Sequence, residues 1–140
     1  TRNIAFVARL GAERVIDYTQ EDFTDLPDRY DVIFDTIGVA SFGAAKARLT
    51  DNGLYICPVL TLPLLGAMLK SRLVGGRRAL FTAVGLQPPD ILRASLDRLL
   101  GMMEAGTVSP VLDRIYPLAD LIEAHLHMET GHKRGNVVVV

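Results

Sequence analysis

The sequence predicts an α/β protein built on a parallel sheet, because segments typical of strands and of helices alternate along its 140 residues. Two further observations support this fold class. Hydrophobic residues make up 49% and charged residues 22%, a composition typical of a globular domain with a buried core. The clearest strand, residues 30–37, contains a continuous apolar run, as strands buried on both faces of a parallel sheet do.

The first part of the chain is predicted to form a short helix followed by two strands. Asn3 is suited to cap the helix, and Gly11 is suited to end it. Residues 14–18 are β-prone and predict a short strand. After a polar stretch, residues 30–37 predict a central strand, which Gly38 ends.

The middle of the chain continues the same alternation. A helix is predicted around residues 41–49, followed by a turn at residues 51–53 and a strand at residues 54–59. Residues 62–73 predict a very apolar helix that Gly75 and Gly76 end, and the next strand is expected at residues 79–84.

The last part begins with the longest predicted helix, residues 89–105, with Gly106 just after its end. A strand at residues 111–116, a helix at 117–130 and a strand at 136–140 complete the chain. The alternation is therefore sustained from one end of the sequence to the other.

Charge and cysteine content exclude several classes of protein. The net charge is −1 with both signs scattered, which gives no electrostatic footprint for nucleic acid or for an anionic membrane. The single cysteine, Cys57, excludes an internal disulfide and a cysteine-rich zinc site, and it is consistent with a cytoplasmic location. No apolar run approaches the ~18 residues that a membrane span needs.

Three separated blocks carry a resemblance to a known family. They are residues 10–18 (LGAERVIDY), residues 30–38 (YDVIFDTIG) and residues 110–138, which contain PVLDRIYPL, EAH and GHKRGNVV. In this order and spacing they resemble the C-terminal part of medium-chain dehydrogenases/reductases, specifically the zinc-independent, quinone-oxidoreductase-like branch. The resemblance implies a partial Rossmann-like, doubly wound parallel sheet with a C-terminal strand–helix–strand tail.

The resemblance also implies that parts of the family fold lie outside this sequence. The first βα unit, whose Gly-rich turn holds the pyrophosphate, has no G-x-G-x-x-G counterpart here. Without that unit an apolar strand edge would be exposed. We therefore expect a longer polypeptide, with a partner chain or re-paired strands as the alternatives. Residues 1–110 would form a partial dinucleotide-binding domain, and residues 111–140 would pack on the catalytic domain.

The resemblance implies seven candidate cofactor-binding residues: Arg2, Tyr18, Thr36, Ile37, Gly38, Val59 and Phe81. Arg2 and Tyr18 would lie near the adenosine ribose and its 2′-phosphate, which favours NADP(H) over NAD(H). The alternatives are a surface arginine and a tyrosine packed at the rim of the sheet.

The remaining candidates would lie near the nicotinamide. Residues 36–38 would end a strand at the switch point of the sheet, unless Gly38 serves only its own dihedral angles. Val59 stands where relatives usually keep a glycine, which departs from the standard cofactor geometry. Phe81 would flank the nicotinamide, or it is simply a core residue. The sequence offers no catalytic residue.

The function that the resemblance implies is hydride transfer from NADPH to a quinone, an enone or a related small carbonyl compound, without zinc. This chain would supply the C-terminal cofactor-binding portion of a cytoplasmic enzyme that dimerises through a sheet edge. The alternative is a non-catalytic, degenerate Rossmann module that acts in dimerisation or protein interaction.

Overall fold

The computed structural model describes residues 3–131 and 133–140, and in these residues strands and helices alternate. The elements are α1 Ile4–Arg9, β1 Tyr30–Phe34, α2 Phe42–Ala45, β2 Leu49–Cys57, α3 Leu62–Val74, β3 Arg78–Phe81, α4 Pro89–Glu104, β4 Leu112–Tyr116, α5 Leu121–Glu129 and β5 Asn136–Val139. No helix in this part of the chain is long and apolar enough to cross a membrane.

The chain forms two compact units. One comprises Ile16–Pro88 and holds a three-stranded sheet in the order β1-β2-β3. The other comprises residues 3–15 together with the described part of Pro89–Val140, and it holds the pair β4-β5. All three strand pairs are parallel, which confirms the predicted α/β class. The proposed domain boundary at residue 110 stays a prediction.

The core of the three-stranded unit is organised around its central strand, β2. Tyr55 and Leu49 are the largest fully buried side chains, and Cys57 is also buried. They pack with Leu64 of α3 and Ala79 of β3. Side chains of a strand alternate between its two faces, so one face of β2 supplies these contacts.

The strand predicted at residues 14–18 is wrong. These residues pair with none of the strands in the described chain. Asp17 accepts hydrogen bonds from the Thr19 N–H at 3.1 Å and from the Thr19 hydroxyl at 2.7 Å, which turns the chain instead. Because β-propensity reflects packing against neighbouring strands, a β-prone segment with no neighbour remains irregular.

The strand predicted at residues 30–37 is confirmed in position, but it is shorter and lies at an edge. It ends at Phe34 and pairs only with β2 among the described strands. The exposed fractions of Val32 and Phe34 are 55% and 57%, so the expected burial on both faces is not found. Only Ile33 packs against the core.

Residues 51–53, which are predicted to form a turn, lie within β2, where the pairing with β1 is irregular. The pairs Tyr30–Leu49 and Val32–Leu54 enclose two steps of β1 but five steps of β2. Gly53 permits this tight path, since a Cβ there would lie 2.9 Å from the Leu49 Cβ. The glycine is therefore required by a close approach within one strand.

The predicted helices are confirmed, but the side-chain cap predicted at Asn3 is wrong, because the Asn3 Oδ1 accepts from Arg134 Nε at 3.1 Å and makes no capping bond to α1. Ser41 Oγ accepts from the Ala44 N–H at 3.1 Å and begins α2, and Thr61 Oγ1 accepts from the Leu64 N–H at 3.3 Å and begins α3. Gly75, with φ of 75°, directly follows α3.

A histidine–aspartate pair ties α5 to β4 in the second unit. His127 Nε2 lies 2.6 Å from Asp113 Oδ2, and the two side chains are only 16% and 17% exposed. The hydrogen bond to His127 lowers the pKa of Asp113, and the Arg134 N–H lowers it further against the opposing effect of burial. The pair therefore favours an ionised Asp113.

We expect His127→Ala to lower the urea midpoint of unfolding, because it removes this contact. His125→Ala is the matched control, since His125 is exposed on the same helix. The pKa of Asp113 is lowered in the folded state, so its contribution to stability is present at pH values above its pKa in the unfolded state. This contribution is lost as the pH falls through its pKa in the folded state. Equal midpoints for the two variants near neutral pH would contradict this role.

Candidate functional site

The candidate site lies at the carboxyl edge of the three-stranded sheet. The Asp35 N–H donates to the Ile56 carbonyl at 2.9 Å, and the Thr82 N–H donates to the Cys57 carbonyl at 3.2 Å. These bonds extend the pairing just past the ends of β1 and β3. Thr36, Ile37 and Gly38 follow β1, Val59 follows β2, and Phe81 ends β3. Five of the seven predicted residues are therefore brought to one edge of the sheet, where open α/β sheets bind ligands.

The loop after β1 is held by a buried carboxylate. Asp35 is only 9% exposed. Its Oδ1 accepts from the N–H groups of Ile37 at 3.3 Å and Gly38 at 2.8 Å, and its Oδ2 accepts from the Ala40 N–H at 2.8 Å. The Tyr55 hydroxyl lies 2.9 Å from Oδ2. Four donors therefore converge on one side chain.

The two titratable groups of this cluster, the Asp35 carboxyl and the Tyr55 hydroxyl, each keep a single protonation state at neutral pH. Burial raises the pKa of Asp35, but the hydrogen bonds from Tyr55 and from the loop N–H groups outweigh it and hold the pKa below its usual value. Burial and the neighbouring Asp35 carboxylate raise the pKa of the Tyr55 hydroxyl. That hydroxyl also lies 2.7 Å from the Ala40 carbonyl. The cluster therefore anchors the loop, and it is not poised for acid–base chemistry.

Gly38 is required on two counts. Its φ is 74°, a conformation that L side chains rarely adopt. A Cβ at this position would also lie 2.9 Å from the Val59 Cβ. Val59 is 41% exposed, so its side chain packs on Gly38 with one side and faces open space with the other.

A cavity of about 620 Å³ opens beside these two residues. It is lined by Gly38, Val39, Ala40, Ser41, Phe42, Gly43, Tyr55, Cys57, Val59, Thr61, Pro63, Leu64 and Ala67. Its volume lies within the range of small-molecule sites, and its lining is mostly apolar with a few polar groups, as in most such sites.

The other candidates lie around this cavity or outside the described chain. Tyr18 lines a neighbouring cavity of about 580 Å³, which shares Val39, Ala40 and Ser41 with the first. The exposed fraction of Tyr18 is 81%, so it is not packed at the rim of the sheet. Phe81 packs against the core. Arg2 lies outside the described residues.

Sequence reasoning missed two parts of the site. The first is the bond between Asp35 and Tyr55, which are 20 residues apart. A polar residue that ends an apolar strand just before a glycine turn signals a loop anchor, but it does not identify the distant partner. The second is the packing of Val59 on Gly38, for which only the departure from glycine at position 59 gave a signal.

The fold and the site together define a protein of the Rossmann-like α/β class. The family model described as zinc-binding dehydrogenase matches residues 10–139, and the chain belongs to this family. The predicted membership of the medium-chain dehydrogenases/reductases is thereby confirmed.

Individual relatives agree with this assignment. The chain is 34% identical to the chloroplastic NADPH-dependent alkenal/one oxidoreductase of Arabidopsis thaliana, with 99% of this chain and 31% of that protein covered. It is 28% identical to the 2-methylene-furan-3-one reductase of Solanum lycopersicum, with the same coverage of 99% and 31%. The quinone oxidoreductase of Coxiella burnetii superposes with a TM-score of 0.77 at 26% identity over 99% of this chain and 42% of that chain. The chain thus spans about a third of the length of these two curated relatives.

The family description names zinc, and a zinc site needs several donor side chains in one place. In residues 3–131 and 133–140 no three His, Cys, Asp or Glu side chains come together as a group that could hold a metal ion. Cys57 is buried, and its Sγ interacts with the backbone of Val59. The described residues therefore do not fit a zinc ion.

Proposed function

We propose that this chain is the C-terminal cofactor-binding portion of an NAD(P)H-dependent oxidoreductase that reduces quinones, enones or related carbonyl compounds. The observation that carries the proposal is the cavity at the carboxyl edge of the sheet, between the loops that follow β1 and β2. The relatives support it, since the alkenal/one oxidoreductase is described as NADPH-dependent and another similar protein is a quinone oxidoreductase.

Different residues at this edge would bind different parts of the cofactor. Thr36, Ile37, Gly38, Val59 and Phe81 would hold the nicotinamide half. Tyr18 and Arg2 would approach the adenosine ribose, and NADP(H) is favoured over NAD(H) because a tyrosine hydroxyl and a guanidinium can both bind a 2′-phosphate. The bound cofactor supplies the hydride.

The protein's own contribution would be orientation and exclusion of water. Asp35 fixes the loop that carries Gly38, and the apolar lining of the cavity, including Phe42 and Leu64, disfavours water around a bound ring. We propose no zinc in this reaction, in keeping with the quinone-oxidoreductase-like branch that the three sequence blocks resemble.

We further propose a cytoplasmic homodimer that assembles through a sheet edge, without nucleic-acid or membrane partners. The outer edge of β3 supports this assembly, because β3 pairs only with β2 in the part of the chain that the structure describes. Residues 111–140 would pack on a catalytic domain, and residues 1–110 would form the partial dinucleotide-binding domain.

Titration of the 140-residue chain with NADPH tests the proposed function. We expect saturable quenching of nucleotide fluorescence with a Kd below about 100 µM, within the range of ordinary enzyme–ligand affinities. NADH measured in parallel should bind more weakly, because it lacks the 2′-phosphate. An absence of binding at millimolar NADPH would show that these residues do not form a working cofactor site.

The exposed apolar side chains of β1 favour one alternative, a non-catalytic module for dimerisation or protein interaction. Val32 and Phe34 project from an edge strand and are more than half exposed. Light scattering that gives the mass of a dimer, together with no NADPH binding, would favour this alternative.

A further inference from the structure

We infer that the Val59 side chain limits how closely a ligand ring can approach the Gly38 backbone, and that it thereby determines the affinity for the nicotinamide–ribose half of the cofactor. This inference rests on the proposed function and adds a specificity-determining role for one residue. It is carried by the packing between two loops that end neighbouring strands.

The face of Gly38 that glycine leaves open is already covered. An ideal Cβ on Gly38 would lie 2.9 Å from the Cβ of Val59, 3.0 Å from its Cγ2 and 3.4 Å from its Cγ1. The three side-chain carbons of Val59 therefore occupy the space through which a ligand would otherwise contact the Gly38 backbone.

Neither residue is free to move aside cheaply. The Gly38 N–H is held at 2.8 Å by the buried Asp35 carboxylate. Val59 is β-branched and so restricted in χ1, and its N–H lies 3.4 Å from the buried Cys57 Sγ. A ring that packs on Gly38 must therefore displace Val59 or stop at its methyl groups.

Val59 also faces the cavity. It lines the 620 Å³ space together with Gly38, and it is 41% exposed. A smaller side chain at position 59 enlarges the cavity at the point where Gly38 lies, and a larger one reduces it. The affinity for a ligand should therefore depend on the size of the side chain at position 59.

The test compares Val59→Gly, Val59→Ala and Val59→Leu with the unmodified chain by isothermal titration. The probes are NADPH and 2′-phospho-ADP, which lacks both the nicotinamide and its ribose. We expect NADPH to bind about threefold or more tightly to Val59→Gly, by a smaller factor to Val59→Ala, and more weakly to Val59→Leu. The Kd of 2′-phospho-ADP should stay unchanged, because it has no group at Gly38.

Val74→Ala is the matched control, since it removes the same two methyl groups from an exposed residue at the end of α3. Circular dichroism establishes that each variant is folded, and Val59→Ala alone suffices if the glycine variant unfolds. NADPH affinity that is unchanged, weakened by the smaller side chains or altered equally for both probes would overturn the inference while leaving the proposed function intact. No binding of NADPH to any of the proteins would overturn both.

Discussion

Replacement of Asp35 by alanine is expected to lower the free energy of unfolding by about 2–4 kcal/mol, because it removes several hydrogen bonds to a charged group, each contributing roughly 1.5–3 kcal/mol, but also removes the cost of burying that charge. The carboxylate accepts from three loop N–H groups and the Tyr55 hydroxyl, and it is only 9% exposed. Without it, the three loop N–H groups lose their acceptor, and the Tyr55 hydroxyl keeps only the Ala40 carbonyl. Urea unfolding followed by circular dichroism measures the loss. The control is Asp25→Asn, which changes an exposed carboxylate in the same unit.

The pH dependence of stability provides an independent check on Asp35. Its pKa is lower in the folded state than in the unfolded state, so its stabilising contribution is full above the unfolded pKa. The contribution is then lost as pH falls from about 4 through the folded pKa. Asp35→Asn should therefore flatten the fall of the unfolding midpoint in acid. A pH profile of Asp35→Asn parallel to that of the unmodified chain would contradict the assignment.

The Asp35 anchor also restricts what the candidate site can do. Backbone N–H groups in a loop often bind anions, but those of Ile37, Gly38 and Ala40 already donate to Asp35. The loop therefore offers a ligand a fixed surface and side chains, with those three donors occupied. This agrees with a role near an uncharged ring and not near a phosphate group.

The sequence predicts the helices of this chain well because their signals are local. Ser41 and Thr61 each lie three residues from the N–H group that they cap, so a cap can be read from a short segment. The strand expected at residues 14–18 was wrong for the opposite reason. A strand forms only where a neighbour pairs with it, and neighbours are distant in sequence.

The same distinction separates the predicted and unpredicted parts of the site. Thr36 and Gly38 could be proposed from the sequence because a glycine directly after an apolar strand marks the edge at which parallel sheets bind ligands. The bonds from Asp35 to Tyr55 and from Asp113 to His127 join residues 20 and 14 positions apart. No periodicity or spacing rule selects such partners, so only the packed structure identifies them.

Gly135→Ala is expected to destabilise the second unit strongly. Gly135 has φ of 151°, and a Cβ there would lie 2.5 Å from the Val111 carbonyl oxygen, which is backbone and cannot rotate away. That oxygen also accepts from the Asn136 N–H at 2.7 Å, the bond at the start of the β4-β5 ladder. Strain and overlap together should cost roughly 3–5 kcal/mol. Hydrogen exchange of the amides in β4 and β5 measures the effect locally.

Gly131→Ala separates the two causes of this cost. Gly131 also has a positive φ, 67°, but a Cβ there would meet nothing within 4 Å. That variant should lose only about 1–2 kcal/mol, the cost of a left-handed conformation for a non-glycine residue. The difference between the two variants then gives the cost of the overlap with Val111 together with the additional strain of the more extended φ at Gly135. If both alanines accelerate exchange in β5 equally, conformational strain alone explains Gly135. If exchange in β5 is much faster only in Gly135→Ala, the close approach to Val111 is what fixes the register of β5 on β4.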